Sequence, residues 1–146
     1  MDCEEVYDKL YRYCYFKLRN RQLAEDVTQE SFLRWVDHGQ RGGEGYLYTI
    51  ARNLCTDHWR KHQPEPLSEE LIQPGPEEDV ILRTDLQRAM ETLTKEEQEL
   101  LLLRWADQLP VGMIAKLMGI SRFAVYRRTE RALKQLREQL GREQWG

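Results

Sequence analysis

The stretch from Val111 to Leu140, VGMIAKLMGISRFAVYRRTERALKQLREQL, constrains this chain more than any other. It reads as a short helix, a glycine turn and a long basic helix. Ile114, Ala115 and Met118 put apolar and small side chains on one face of the first helix. Gly119 ends that helix, because a residue without Cβ enters the left-handed conformation at little cost. Ser121 is placed to cap the next helix by accepting a hydrogen bond from a free backbone N–H. Val125, Ala132, Leu133, Leu136 and Leu140 then recur at helical spacing. The small Ala115 allows a close crossing, and Gly119, Ile120 and Val125 follow at the offsets of a helix-turn-helix. Arg122, Tyr126, Arg127, Arg128 and Arg131 are left for solvent or for a polyanion. From Leu109 to Arg142, eight Lys and Arg stand against two Glu. A helical hairpin with a solvated basic face is the plainer reading of this pattern, and DNA binding is the one favoured.

The overall charge argues the other way until it is divided. The 146-residue chain carries a formal net charge of −3. Residues 1–63 hold ten basic and ten acidic side chains, residues 64–85 one and seven, and residues 86–146 eleven and eight. An acidic tether thus separates two parts, and the global balance conceals a basic C-terminal segment. Residues 63–79, QPEPLSEELIQPGPEED, hold all but one of the five prolines, the composition of a linker. Three cysteines, Cys3, Cys14 and Cys55, form no CxxC pair and suit free thiols in a reducing compartment. With no leader-like or membrane-length apolar stretch, a soluble, cytoplasmic protein without membrane insertion is expected.

Before the tether, Val6, Leu10, Tyr13 and Cys14 form the stripe of a first helix that Asn20 is expected to end. A second helix is predicted from about Gln22 to Asp37, with Ala24, Val27, Ser31 and Trp35 in one arc and Phe32 beside them. Its other side shows Asp26, Gln29, Glu30 and Arg34. Gly39, Gly42, Gly43 and Gly45 predict a flexible loop, followed by a third helix from about Tyr46 to His62 with Leu47, Ile50, Ala51, Leu54 and His58 inside. Three such helices make a small bundle. After the tether, helical spacing resumes with Leu82, Leu86, Ala89, Met90 and Leu93. Thr94 and Glu97 form a capping box. Leu100 to Leu103 with Trp105 read as a central, all-round apolar helix, and Pro110 fits the first turn of the next. The expected architecture is all-α, with domains at 1–63 and 80–146 joined by a linker at 64–79.

AEDVTQESFLRW, GYLYTIARNLCTDHWRK and LLLLRWADQLPVGMIAKLMGIS followed by RRTERALKQLR together resemble bacterial sigma factors of the sigma-70 family, in the extracytoplasmic-function group. The helix-turn-helix alone is unspecific; its combination with the upstream motifs, in that order, is strong. The resemblance implies region 2-like and region 4-like domains in a non-enzymatic subunit that directs core RNA polymerase to promoter DNA, with no cofactor and with an anti-sigma factor as a further partner. It assigns Asp26, Gln29 and Glu30 to polymerase binding. Tyr46, Tyr48, Arg52 and Asn53 match the promoter-melting part, and the glycine-rich loop takes the place of the family's base-capture loop. Arg60, Lys61 and Trp59 would lie along the DNA backbone. Opening DNA costs a few kcal/mol per base, which aromatic, amide and cationic groups recapture by holding the unpaired base and phosphates. Tyr126, Arg127, Glu130 and Arg131 match positions that read the upstream element, Arg pairing with guanine and Glu with cytosine. Arg122 and Arg128 suit phosphates, which position without specifying. The chain departs from the family with Tyr46 in place of the usual Trp, Arg127 in place of a smaller residue, and Thr129 in place of an apolar one, with a looser recognition helix expected at Thr129.

Two rivals belong to other classes. Cys55, His58 and His62 form C-x₂-H-x₃-H on one arc of about 60° of a helix. They offer three zinc ligands for a metal-sensing switch or a hydrolytic site, although Asp57, the neighbouring base, points to another face. A free-standing helix-turn-helix regulator would bind an operator without polymerase.

Overall fold

The computed structural model describes residues 3–61 and 85–145. The chain divides into two compact units, residues 1–75 and 76–146. That boundary falls inside the expected linker at 64–79, which lies outside the described residues, as do Leu82 and His62. Among the described residues every regular element is helical.

The first unit is three mutually packed helices: α1 (Cys3–Leu18), α2 (Arg21–Asp37) and α3 (Gly43–Lys61). The stripe predicted for α1 is the stripe that is buried: Val6, Leu10, Tyr13 and Cys14. Asn20 does not end α1. That helix closes at Leu18, Arg19 takes a left-handed φ of 55°, and Asn20 starts α2 by accepting from the Leu23 N–H at 2.9 Å. Inside α2, Thr28 and Ser31 are fully buried, yet each hydroxyl donates to a carbonyl one turn back, at 2.6 and 2.7 Å. These polar groups therefore enter the core without an unmet hydrogen bond. From α3, Leu47, Tyr48, Ile50, Ala51 and Cys55 face inward, and the Tyr48 ring meets Tyr13 edge-on with centroids 5.4 Å apart. The Trp59 indole N–H donates to the Lys17 carbonyl at 2.9 Å, which fastens the end of α3 to the end of α1. Leu54 and His58 are only half-buried.

The glycine-rich segment is shorter and more ordered than its composition suggests. Gly43 and Gly45 belong to the first turn of α3, so the connection is five residues, 38–42. Within it, Gly39 N–H and Gln40 N–H donate to the Val36 and Trp35 carbonyls at 2.9 and 2.8 Å, and the Trp35 indole reaches the Arg41 carbonyl at 3.3 Å.

The second unit contains α4 (Asp85–Met90), α5 (Lys95–Leu101), which continues as a π-helical turn (Leu102–Ala106), α6 (Val111–Met118) and α7 (Arg122–Trp145). The capping box forms as predicted, with Glu97 N–H donating to Thr94 Oγ1 and Thr94 N–H donating to Glu97 Oε1. Gln98 then donates to the Met90 and Leu93 carbonyls at 2.9 and 3.1 Å, which ties α5 to the turn before it. Leu93, Leu101 and Ala132 form one core cluster, flanked by Met90, Leu133 and Leu136. Leu86, expected inside, is exposed. So is Trp105. The all-round burial expected here is not complete, since Leu102 is half-buried; beyond it the face carrying Leu103 and Asp107 stays inside, and Trp105, two residues from each, lies on the opposite side under the Arg104 guanidinium. Pro110 is the extended residue before α6 rather than part of its first turn.

Gly119, at φ 72°, ends α6, and the N–H groups of Gly119 and Ile120 both donate to the Ala115 carbonyl, at 2.9 and 3.0 Å. Ser121 Oγ accepts from Ala124 N–H at 3.0 Å, as its position predicted. Ile114, Ala115 and Val125 are buried where the two helices cross. Thr129 lies in the core, and its hydroxyl donates to the Val125 carbonyl at 2.8 Å, so the polar group is buried with its hydrogen bond met.

Candidate nucleic-acid interface

The α2 side expected to hold a partner is solvent-facing. Asp26, Gln29 and Glu30 are all exposed, and Glu30 accepts from Arg34 at 2.9 Å across one turn. The same side continues into two large apolar residues, Leu33 (65% exposed) and Val36 (53%). Offsets of three, four, seven and ten from Asp26 keep all of them in one stripe. Carboxylates, an amide and uncovered aliphatic side chains in one stripe make a surface suited to a protein partner rather than to water alone. The sequence reading missed Leu33 and Val36 because they fall outside the core arc of α2 and carry no charge.

On α3, Tyr46, Asn53 and Arg60 recur every seven residues, and all three are exposed. They mark a line of about 21 Å along the helix at 1.5 Å per residue. Arg52 is half-buried and Lys61 exposed. Tyr48 does not belong with them. It is fully buried against Tyr13, so its assignment to the DNA face is corrected to a core role. Two residues from Tyr46 means about 200° around a helix, so the two tyrosines cannot share a face. Trp59, half-exposed, is tied by its indole N–H to α1. Asp37, His38, Arg41 and Tyr46 instead line an open cleft at the N-terminal end of α3, with the His38 and Tyr46 rings 6.5 Å apart. Two aromatic rings, a cation and a carboxylate around one cleft offer stacking surfaces and hydrogen-bonding groups to an unstacked base.

Gly42 sets the place of Tyr46. It sits at φ 72°, and a Cβ there would lie 2.8 Å from the Tyr46 Cβ. Gly42→Ala is therefore expected to cost about 1–2 kcal/mol from the left-handed backbone alone, with the contact adding to it. The measurements are a lowered melting temperature and a changed Tyr46 environment in NMR spectra; an unchanged melt would mean that the turn relaxes freely.

Of the C-x₂-H-x₃-H pattern, Cys55 and His58 are described and His62 lies outside the described residues. Cys55 is fully buried in the helical core, and among the described residues no group of three or more His, Cys, Asp or Glu is placed to hold a metal ion.

On α7, Arg122, Tyr126, Arg127, Glu130 and Arg131 are exposed. The Arg122 guanidinium folds back so that a Cβ on Gly112 of α6 would meet it at 2.8 Å. Arg128 is the more buried one, and it pairs with Glu96 at 2.9 Å. Arg131 reaches Glu97, the capping-box carboxylate, only at 3.8 Å and its side chain remains 79% exposed. The exposed α7 residues alternate cations with one carboxylate and one phenol, the donor and acceptor set needed to tell base pairs apart in a major groove. Phe123, in the first turn and 71% exposed, is a further member that the periodicity argument passed over.

Residues 3–65 match the family described as Sigma-70 region 2, and residues 83–136 match Sigma-70, region 4. The ECF RNA polymerase sigma factor BldN of Streptomyces coelicolor is 30% identical over 91% of this chain and 56% of its own length. SigW, an ECF RNA polymerase sigma factor of Bacillus subtilis, is 29% identical over 95% and 87%. SigE, an ECF RNA polymerase sigma factor of Mycolicibacterium smegmatis, is 33% identical over 92% and 58%. The chain thus spans little more than half the length of two of these three relatives. The fold is similar to that of the sigma factor RpoE from Bartonella quintana, solved in complex with the anti-sigma factor NepR, with a TM-score of 0.66, 20% identity and coverage of 92% and 91%. With both regions matched in order and relatives of one kind matched across more than nine-tenths of the chain, the chain belongs to the sigma-70 family of RNA polymerase sigma factors, in the extracytoplasmic-function group.

Proposed function

We propose that this protein is a dissociable initiation subunit that brings core RNA polymerase to a specific set of promoters in the cytoplasm and starts strand separation, with no reaction of its own. The observation that carries the reading is the α2 stripe, where Asp26, Gln29 and Glu30 run into the uncovered Leu33 and Val36. A free-standing regulator has no use for such a surface on a separate unit. Tyr46, Asn53 and Arg60 line α3 for an unpaired strand, and Tyr126, Arg127, Glu130 and Arg131 on α7 read the upstream element. Arg52 and Lys61 support the strand, and Arg122 and Arg128 hold phosphates. A subunit of this kind must be kept off polymerase when not needed. An anti-sigma partner is the natural means, since the α2 stripe and the α7 face both offer surfaces to cover.

The test is transcription with core polymerase on a promoter library randomised in both recognition elements. Transcripts are expected only when the protein is added, all starting at a fixed distance from one enriched pair of motifs. Sequence-specific duplex binding without core, together with no initiation when core is present, would favour the free-standing regulator.

A further inference from the structure

Phe123 is the most exposed large apolar side chain among the described residues, at 71%. Its place is fixed. Ser121 caps the turn through Ala124 N–H at 3.0 Å, so Phe123 already belongs to regular helix, and its neighbour Arg122 is folded back over Gly112. Phe123 therefore protrudes at the tip of α7, the end of a recognition helix whose residues meet base edges. One turn further on, the Arg127 guanidinium lies over the Phe123 ring at 5.5 Å from its centroid. Such stacking holds a cation while leaving its N–H edge free to donate.

The major groove offers a target for each half of this pair. Thymine carries a 5-methyl group read by apolar contact, and guanine presents O6 and N7 to an arginine. Residues four apart on a helix are separated by about 6 Å, close to two base-pair steps of about 3.4 Å. We propose that Phe123 and Arg127 act as one reading unit: Phe123 packs on a thymine methyl while Arg127, braced on the ring, pairs with a guanine within two base pairs of it. Phe123 then sets specificity in its own right. The inference rests on the proposed role of α7 in reading the upstream element.

The experiment uses holoenzyme assembled from the full chain and core polymerase. Two copies of one promoter library, randomised in the upstream element, are made with thymine or with uracil, which pairs alike but lacks the methyl group. The unmodified protein is expected to enrich thymine at one position, near a preferred guanine, and to lose about fourfold of that enrichment in the uracil library, the factor that burying one methyl group gives. Phe123→Ala should show no preference at that position in either library and a weakened guanine preference beside it, while keeping the rest of the motif, and Phe123→Leu should keep part of the thymine preference. Arg127→Lys should weaken the guanine preference. Equal enrichment of thymine and uracil by the unmodified protein would overturn the inference without any variant. So would a Phe123→Ala motif identical to that of the unmodified protein, which would leave Phe123 as an anchor for a protein partner. If no upstream motif emerges with core present, the proposed function fails first and this reading unit falls with it.

Discussion

Reversing the charges at Asp26 and Glu30 together, each to Lys, is expected to abolish retention of core polymerase, lowering affinity by a hundredfold or more, while the helix content and melting temperature stay close to those of the unaltered protein. Both side chains are exposed, so neither is needed by the core of the first unit. Glu30 does pair with Arg34, but at roughly half exposure on both sides that pair contributes little. The new like-charge neighbours along α2 cost about 0.2–0.5 kcal/mol per pair. Across a protein interface the arithmetic differs. Like charges brought together there cost several kcal/mol, and each 1.4 kcal/mol is tenfold in affinity. Co-purification with core, alongside circular dichroism melting, decides the matter. Full retention of binding would remove this face of α2 from the interface. Loss of binding with an unchanged melt would leave little else to explain it.

Separating recognition from opening is the second large effect. Arg131→Ala should weaken binding to the upstream element by roughly fivefold to a hundredfold, the range of 1–3 kcal/mol for a good base contact, and should relax preference at one position. Opening of an already melted template should be nearly unaffected. Asn53→Ala should do the reverse, leaving recruitment intact while strand opening fails on duplex and recovers on a pre-opened bubble. Arg131 stands 79% exposed on α7, whereas Asn53 lies in line with Tyr46 and Arg60 on α3. Permanganate reactivity of unpaired thymines, measured beside a binding assay for each variant, separates the two. Equal losses of binding and opening on both templates would contradict the division of labour.

Where sequence patterns report a local choice, they anticipated the structure well. The α1 stripe, the Thr94–Glu97 box, the Ser121 cap and the left-handed Gly119 are each decided within one or two turns of chain, and each is found. The misses come from choices made at a distance. Tyr46 and Tyr48 are the same residue type two positions apart, and only the arrival of Tyr13 from α1 decides that Tyr48 is the one inside. Trp105 continues an apolar run, but burial there depends on where α5 leaves the core, which no local pattern encodes. Asn20 looks like an end and is a beginning, because a cap residue looks alike from either side without the left-handed Arg19 that precedes it. The glycines at 43 and 45 suggested looseness, whereas the Trp35 carbonyl and indole organise the turn before them. On the candidate DNA faces the exposed cations were legible. The cleft made by His38 and Arg41 with Tyr46 was not, since it needs the turn and the helix to be brought together first.

The contact between Arg128 and Glu96 has a consequence for the ion atmosphere of the DNA. A protein cation that neutralises a phosphate normally frees condensed counterions, and binding then falls with salt at a slope of about −0.9 for each phosphate met. Arg128 does not begin as a bare cation, because Glu96 already holds it at 2.9 Å. When its remaining N–H groups meet a phosphate, Glu96 stays beside them, and the pair brings no net charge to the DNA with which to free condensed counterions. The salt dependence of upstream-element binding should therefore be shallower, by about one phosphate's worth, than a count of the arginines on α7 suggests. Part of the recognition helix is thereby insulated from swings in the ionic strength of the cell.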